Sequence, residues 1–231
     1  MRAGGWRNLV TLLHPPYTAW HLSYVALGAA AAPTIHADRL LAALGAFFLA
    51  VGVSAHALDE LNGRPLRTRL SDRTLIVLAV AGLAGAVAIG VTGLAIVSFS
   101  LAPFVAAGAF IVLAYNLELF GGRFHTDFWF AAAWGAFPAL TSFWANALSI
   151  RASGLLVAAA CFALSVAQRR LSTPVRALRR RTLSVSGEQR LTDGRVLELS
   201  VAHLARPLDG ALRALSFALA LMAIGLVIVR L

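Results

Sequence analysis

The sequence predicts an all-α integral membrane protein, a bundle of about seven transmembrane helices. Three observations lead there. Of 231 residues, 59% are hydrophobic and only 13% are charged, far below the charge content of soluble domains. The mean hydropathy is +0.78, and apolar runs recur at the roughly 20 residues that a spanning helix needs. These runs are continuous rather than alternating, which argues against a β-barrel.

Residues 1–16 carry Arg2, Trp6 and Arg7 with an apolar stripe of Leu9, Val10, Leu12 and Leu13. This pattern reads as an interfacial amphipathic helix ending at Pro15-Pro16. No small-residue cleavage site precedes the first span, so the segment is expected to be mature sequence. The spans are expected near residues 17–35, 40–58, 74–91, 99–115, 128–148, 153–168 and 208–229. Thr92-Gly93 and Ser98 to Ser100 mark a short turn, and Gly121-Gly122 marks a break. Residues 169–207 are the one sizeable extramembrane piece, a small cytoplasmic insertion before the last helix. Its first part, Arg169 to Arg181, is expected to prolong the sixth helix along the interface, with Pro174 near its start or at a kink. Its second part reads as a hairpin with a two-residue turn at Asp193-Gly194. Residues 1–231 form a single membrane domain.

Every cation is arginine, and the formal net charge is +10. With the N-terminus inside, seventeen of the twenty arginines fall on the cytoplasmic side, which sets the N-terminus in the cytoplasm and the C-terminus outside. The arginines are therefore read as loop charges meeting anionic membrane lipids of a multi-pass cell-membrane protein. No basic stripe is interleaved with exposed aromatics, which argues against nucleic acid as a partner. Cys161 is alone, so no disulfide framework or cysteine metal site is expected.

The most informative stretch runs from His56 to Arg69 at the end of the second span. His56, Asp59 and Glu60 fall at i, i+3 and i+4, on one helical face. Carboxylates suit Mg²⁺, which takes one or two of them plus substrate phosphates. Asn62, Arg64, Arg67 and Arg69 follow, and guanidinium forks bind phosphate. A metal and arginines together can neutralise a departing diphosphate. The alternative is a polar helix end with arginines at lipid headgroups. A second cluster, Tyr115, Asn116, Glu118 and His125, is expected on the same side. Asp127 is expected to cap the fifth span. His21 either lines a cavity or hydrogen-bonds a neighbouring helix. Asp209-Gly210-Ala-Leu-Arg213 is similar to the opening of the CDP-alcohol phosphotransferase signature. No acid follows Asp209, and that reading is rejected.

At the two clusters the chain resembles the UbiA superfamily of intramembrane prenyltransferases. The matching pieces are Ala55-His56-Ala-Leu-Asp59-Glu60 running into Gly63-Arg64-Pro65-Leu-Arg67-Thr68, and Tyr115 followed by Ala133-Trp134-Gly135-Ala-Phe-Pro138. The resemblance covers about residues 10–170. The superfamily's second acidic motif falls where this chain reads Gln168-Arg169-Arg170-Leu-Ser-Thr-Pro174-Val-Arg176. The resemblance implies transfer of a prenyl group from a prenyl diphosphate to a lipid-soluble acceptor. It implies Mg²⁺ at Asp59 and Glu60, with Asp59 and His56 catalytic, His56 as ligand or base. Asn62, Arg64, Arg67, Arg69, Tyr115, Asn116, Glu118 and His125 would bind substrate. A second reading is a non-catalytic relative, or a subunit of a membrane complex, whose Arg169–Arg181 run holds an anionic lipid or a partner. A transporter is the weakest reading, since no charge falls in mid-span.

Overall fold

The computed structural model describes residues 5–231; Arg2 lies outside the described residues. The chain folds as a helical bundle whose β structure, among the described residues, is one small hairpin. Helix α1, Trp6–Leu13, exposes Trp6, Leu9 and Val10 and buries Leu12. The backbone then turns at His14, in the left-handed region, and Pro15-Pro16 open α2, Pro15–Ala30. Proline suits that position because its missing N–H would be unpaired there anyway.

Helix α2 is the central element. It buries Thr18, Trp20, His21, Tyr24 and Gly28 among others. Helix α3 is Ala37–Leu61 and α4 is Asp72–Ile96. Ser71 caps α4 by accepting from the Thr74 amide at 3.2 Å. Helix α5 is Phe99–Asn116, and α6 covers residues 127–147. Helix α7 is Ala152–Arg180 and α8 is Val201–Arg230. Helices α3, α4, α5, α7 and α8 are long and apolar enough to cross a membrane. The other two expected spans are also helices: α2 has 16 residues and carries buried His21 and Ser23, and α6 contains a π-helical turn at Ala132–Ala136, as α3 does over Phe48–Ala55.

Several boundaries differ from expectation, each for a local reason. Helix α4 runs past Thr92-Gly93 because Thr92 satisfies its hydroxyl on the Ala88 carbonyl, 2.9 Å away within the helix. Helix α7 continues through Pro174 to Arg180, and α8 begins at Val201 with Ser200 as its cap. The connection expected over residues 169–207 therefore shrinks to residues 181–200. Its strands β1, Glu188–Arg190, and β2, Val196–Glu198, pair antiparallel with Gln189 opposite Leu197. The turn is three residues long rather than two. Gly194 donates to the Leu191 carbonyl at 3.0 Å, and Gly194 takes a left-handed φ of 84°. The Asp193 carboxylate then accepts from the Arg195 amide at 3.0 Å, closing a type I turn with a glycine bulge.

Close crossings hold the bundle. A Cβ on Gly28 would sit 2.0 Å from the Ala139 carbonyl oxygen, and one on Gly135 would sit 2.5 Å from Ser165 Oγ. Small residues let helices approach this far in lipid, where packing rather than water drives association. His21 settles on the same crossing. Its Nδ1 donates to the Trp134 carbonyl at 2.7 Å; Pro138, four residues on, has no N–H to give that carbonyl. Of the two alternatives for His21, the hydrogen bond to a neighbouring helix is the one present.

Gly28→Ala is expected to destabilise the bundle by about 1–3 kcal/mol through overpacking, read as a lower melting temperature of the detergent-solubilised protein.

Candidate functional site

At the end of the bundle where α3 and α5 finish and α7 extends, a cavity of about 630 Å³ opens. Five regions of chain build it. His14 and Tyr17 come from the α1–α2 junction. Helix α3 places His56 and Asp59 three residues apart on one face, followed by Asn62. Tyr115 and Asn116 end α5, and Glu118 and His125 belong to the loop after it. Helix α6 adds Asp127, Phe130 and Trp134. Helix α7 adds Gln168, Arg169, Thr173, Arg176 and Arg180, with Arg181 just beyond it.

The loop after α5 turns sharply to bring its residues back. Glu118, Phe120, Gly121 and Gly122 all have positive φ, the region that glycine tolerates best. His125 then stacks on Tyr115 with ring centroids 4.5 Å apart, and its Nδ1 donates to the Tyr115 carbonyl at 3.0 Å. Thr126, not Asp127, caps α6 by accepting from the Trp129 amide at 3.3 Å. Asp127 is thereby free to pair with Arg169 at 2.6 Å, and the Arg169 guanidinium lies 5.0 Å from the centre of the Phe130 ring.

Four aromatic rings form one wall. Tyr17 and Tyr115 each lie 6.3 Å from Phe130, and Tyr115 lies 5.5 Å from Trp134. Imidazoles adjoin it: His56 is 5.4 Å from Tyr17 and 6.2 Å from His14 between ring centroids. His56 Nδ1 donates to the Gly52 carbonyl at 3.1 Å, which leaves Nε2 with its lone pair. Burial holds the His14 imidazole below its ordinary value, and Arg180 adds to that effect.

A separate apolar groove of about 320 Å³ runs between α3, α4, α5 and α6. Ala46, Ala50, Gly90, Gly108 and Phe137 line it, and Asp38 and Arg39 stand at its far end. Cavity and groove share Val51 and Trp134 in their walls.

The expected site residues divide. His56, Asp59, Asn62, Tyr115, Asn116, Glu118 and His125 line the cavity. Glu60, Arg64, Arg67 and Arg69 do not. Glu60 is fully buried and accepts from the Leu66 amide at 2.8 Å, the Thr68 amide at 2.6 Å and the Thr68 hydroxyl at 2.8 Å. It folds the following loop around itself, because those buried donors need acceptors. Arg64 donates to the Leu70 carbonyl at 2.6 Å and pairs with Asp72, stapling the same loop to α4. Arg67 and Arg69 are exposed, and the Arg69 amide donates to the Asn8 side chain at 3.3 Å. The cations in the cavity come instead from α7. Sequence reasoning placed them in a basic run; their spacing at 169, 176 and 180 was the available sign that they share a helix face.

The Mg²⁺ expected at Asp59 and Glu60 needs both carboxylates on one side of the helix. Successive helical residues point about 100° apart, and here Asp59 faces the cavity while Glu60 faces the loop. Among the described residues, no group of three or more His, Cys, Asp or Glu side chains could hold a metal ion. Asp59 makes no hydrogen bond or ion pair among the described residues, and it feels the charge of Arg169 and Arg176. Asp59 and Glu60 therefore do not share one ion.

Two outcomes follow. Glu60→Ala is expected to cost about 1–3 kcal/mol of stability by orphaning buried donors, whereas Asp59→Ala leaves the melting temperature nearly unchanged. Because folding lowers the His14 pKa, the neutral form is favoured in the folded protein, so its contribution is full above 6.5 and falls as the pH drops below that value. His14→Gln should therefore flatten the acid side of a melting-temperature-versus-pH curve. Comparison with protein-family models, with curated proteins and with solved structures returns no match.

Proposed function

We propose that the protein is a UbiA-like intramembrane prenyltransferase, taking a prenyl diphosphate and passing its prenyl group to a lipid-soluble acceptor. One observation carries this reading: an arginine-rich polar cavity and an apolar groove meet at Val51 and Trp134. A charged head on a long hydrocarbon tail is the ligand chemistry that matches this pair. In this reading α2 and α6 complete seven spans. The arginine bias then puts the cavity on the cytoplasmic side of the cell membrane, with the N-terminus inside and the C-terminus outside.

The head lies against Arg176 and Arg180, and the tail lies in the groove. The bond between the allylic carbon and the diphosphate oxygen breaks, and both electrons leave with the oxygen. Preorganised guanidinium groups stabilise the charge that develops there. The allylic cation forms beside Tyr17, Tyr115, Phe130 and Trp134, whose ring faces attract positive charge. Asp59 supplies negative charge in the same cavity. The acceptor's nucleophilic atom then bonds to the allylic carbon and releases a proton, which His56 Nε2 accepts.

The second reading, a non-catalytic binder of an isoprenoid or anionic lipid, is favoured by the poor metal donor set around Asp59. Incubation of the purified protein with geranylgeranyl diphosphate and a membrane-lipid extract separates the two. Diphosphate release, reduced about 100-fold by Asp59→Asn or Arg176→Gln, is expected. A tightly retained phospholipid with no diphosphate release would instead establish the binder.

A further inference from the structure

We infer that the cavity holds its anionic headgroup with arginines in place of a divalent metal, so that diphosphate binding needs no Mg²⁺. This rests on the reading of the cavity as a headgroup site and adds the identity of its counter-charge. Arg169, Arg176 and Arg180 stand at i, i+7 and i+11 on α7. At 100° per residue they fall within about 40° of one another, as a single stripe. All three line the cavity, and so does Arg181. Arg179, off that stripe, pairs with Asp209 and is not in the wall.

The stripe is poised rather than consumed. Arg169 is engaged by Asp127 and rests over Phe130. Arg176 and Arg180 make no ion pair among the described residues, and Arg176 donates only to Thr173 Oγ1 at 3.2 Å. Two guanidinium forks are thus left for phosphate oxygens, which they match bidentately.

A metal at a diphosphate has two tasks, to cancel charge and to fix orientation. The first needs carboxylates around the ion, and this cavity has few. Glu60 is spent on its loop and Asp127 on Arg169. Glu118 accepts from the Asn62 side-chain amide at 3.4 Å, and Asp59 lies within reach of the charges of Arg169 and Arg176, so a divalent cation placed there would be repelled by the same groups that attract the head. The second task falls to the forks, which are planar and directional. The region Gln168–Arg176, basic where the resembled superfamily is acidic, thus takes over the task of the missing acids.

The test uses the full chain in detergent and the non-ionising analogue geranylgeranyl S-thiolodiphosphate. Calorimetric Kd values are compared in excess EDTA and in millimolar MgCl₂. The expected result is similar affinity in both, with Arg176→Gln and Arg180→Gln each weakening binding in EDTA by about tenfold to 100-fold. Arg176→Lys should recover part of that loss, and unchanged melting temperatures of the unliganded variants separate lost binding from misfolding. Binding that requires MgCl₂ overturns the inference and spares the headgroup reading. Binding in EDTA that survives both glutamine variants also overturns it. No binding in either condition overturns the inference and the reading beneath it.

Discussion

The crossing of α2 with α6 is the constraint on which the remaining geometry depends. Gly28 meets the Ala139 backbone too closely for any side chain to intervene. One end of the contact is thereby a steric stop, and two turns away His21 is tied to the Trp134 carbonyl. Two fixed points hold one helix against another in both position and rotation. Helix α2 cannot turn to release His21, and its first residues must enter the cavity. His14 and Tyr17 reach the site for that reason, although nothing in their own neighbourhood marks them as functional. Trp134 is fixed by the same bond, and Trp134 is where cavity and groove meet.

Two neighbouring acids illustrate how tertiary demands divide a motif. Asp59 and Glu60 are consecutive, and a helix sends consecutive side chains in different directions. The loop after α3 has a partly buried amide at Leu66 and a buried one at Thr68 that require acceptors, and Glu60 is the carboxylate within reach. Asp59 is left facing the cavity. The arginines of the loop follow the same logic. Arg64 is used to close the loop onto α4, so the cationic wall has to come from elsewhere. It comes from α7, which stays helical past the apolar span and carries its charges along one side.

The cavity and the groove differ in chemistry and touch at two residues. Polar groups at the mouth and small apolar residues behind it suit a ligand that is itself divided. Gly90 and Gly108 line the groove where helices pack closely; a Cβ on Gly90 would sit 2.6 Å from Val105. The cavity combines arginines with tyrosine, phenylalanine and tryptophan rings, and Arg169 rests over Phe130 where the two sets join.

The helical membrane-type class was legible in the sequence, as was the location of each long helix. So was the gathering point of polar residues at the ends of α3 and α5. Hydrophobic length, proline and glycine breaks and capping residues are local properties, and local properties are written in local sequence. The prolongation of α7 past Pro174 was legible too, whereas the start of α8 was placed too late, because Pro207 is tolerated inside that helix. Only the tertiary structure decided that Asp59 faces the cavity while Glu60 serves a loop, that His14 and Tyr17 join the site, and that α7 supplies its cations. Those choices depend on which buried donors compete for an acceptor and on how helices rotate against one another, and both are set by contacts between residues far apart in the chain.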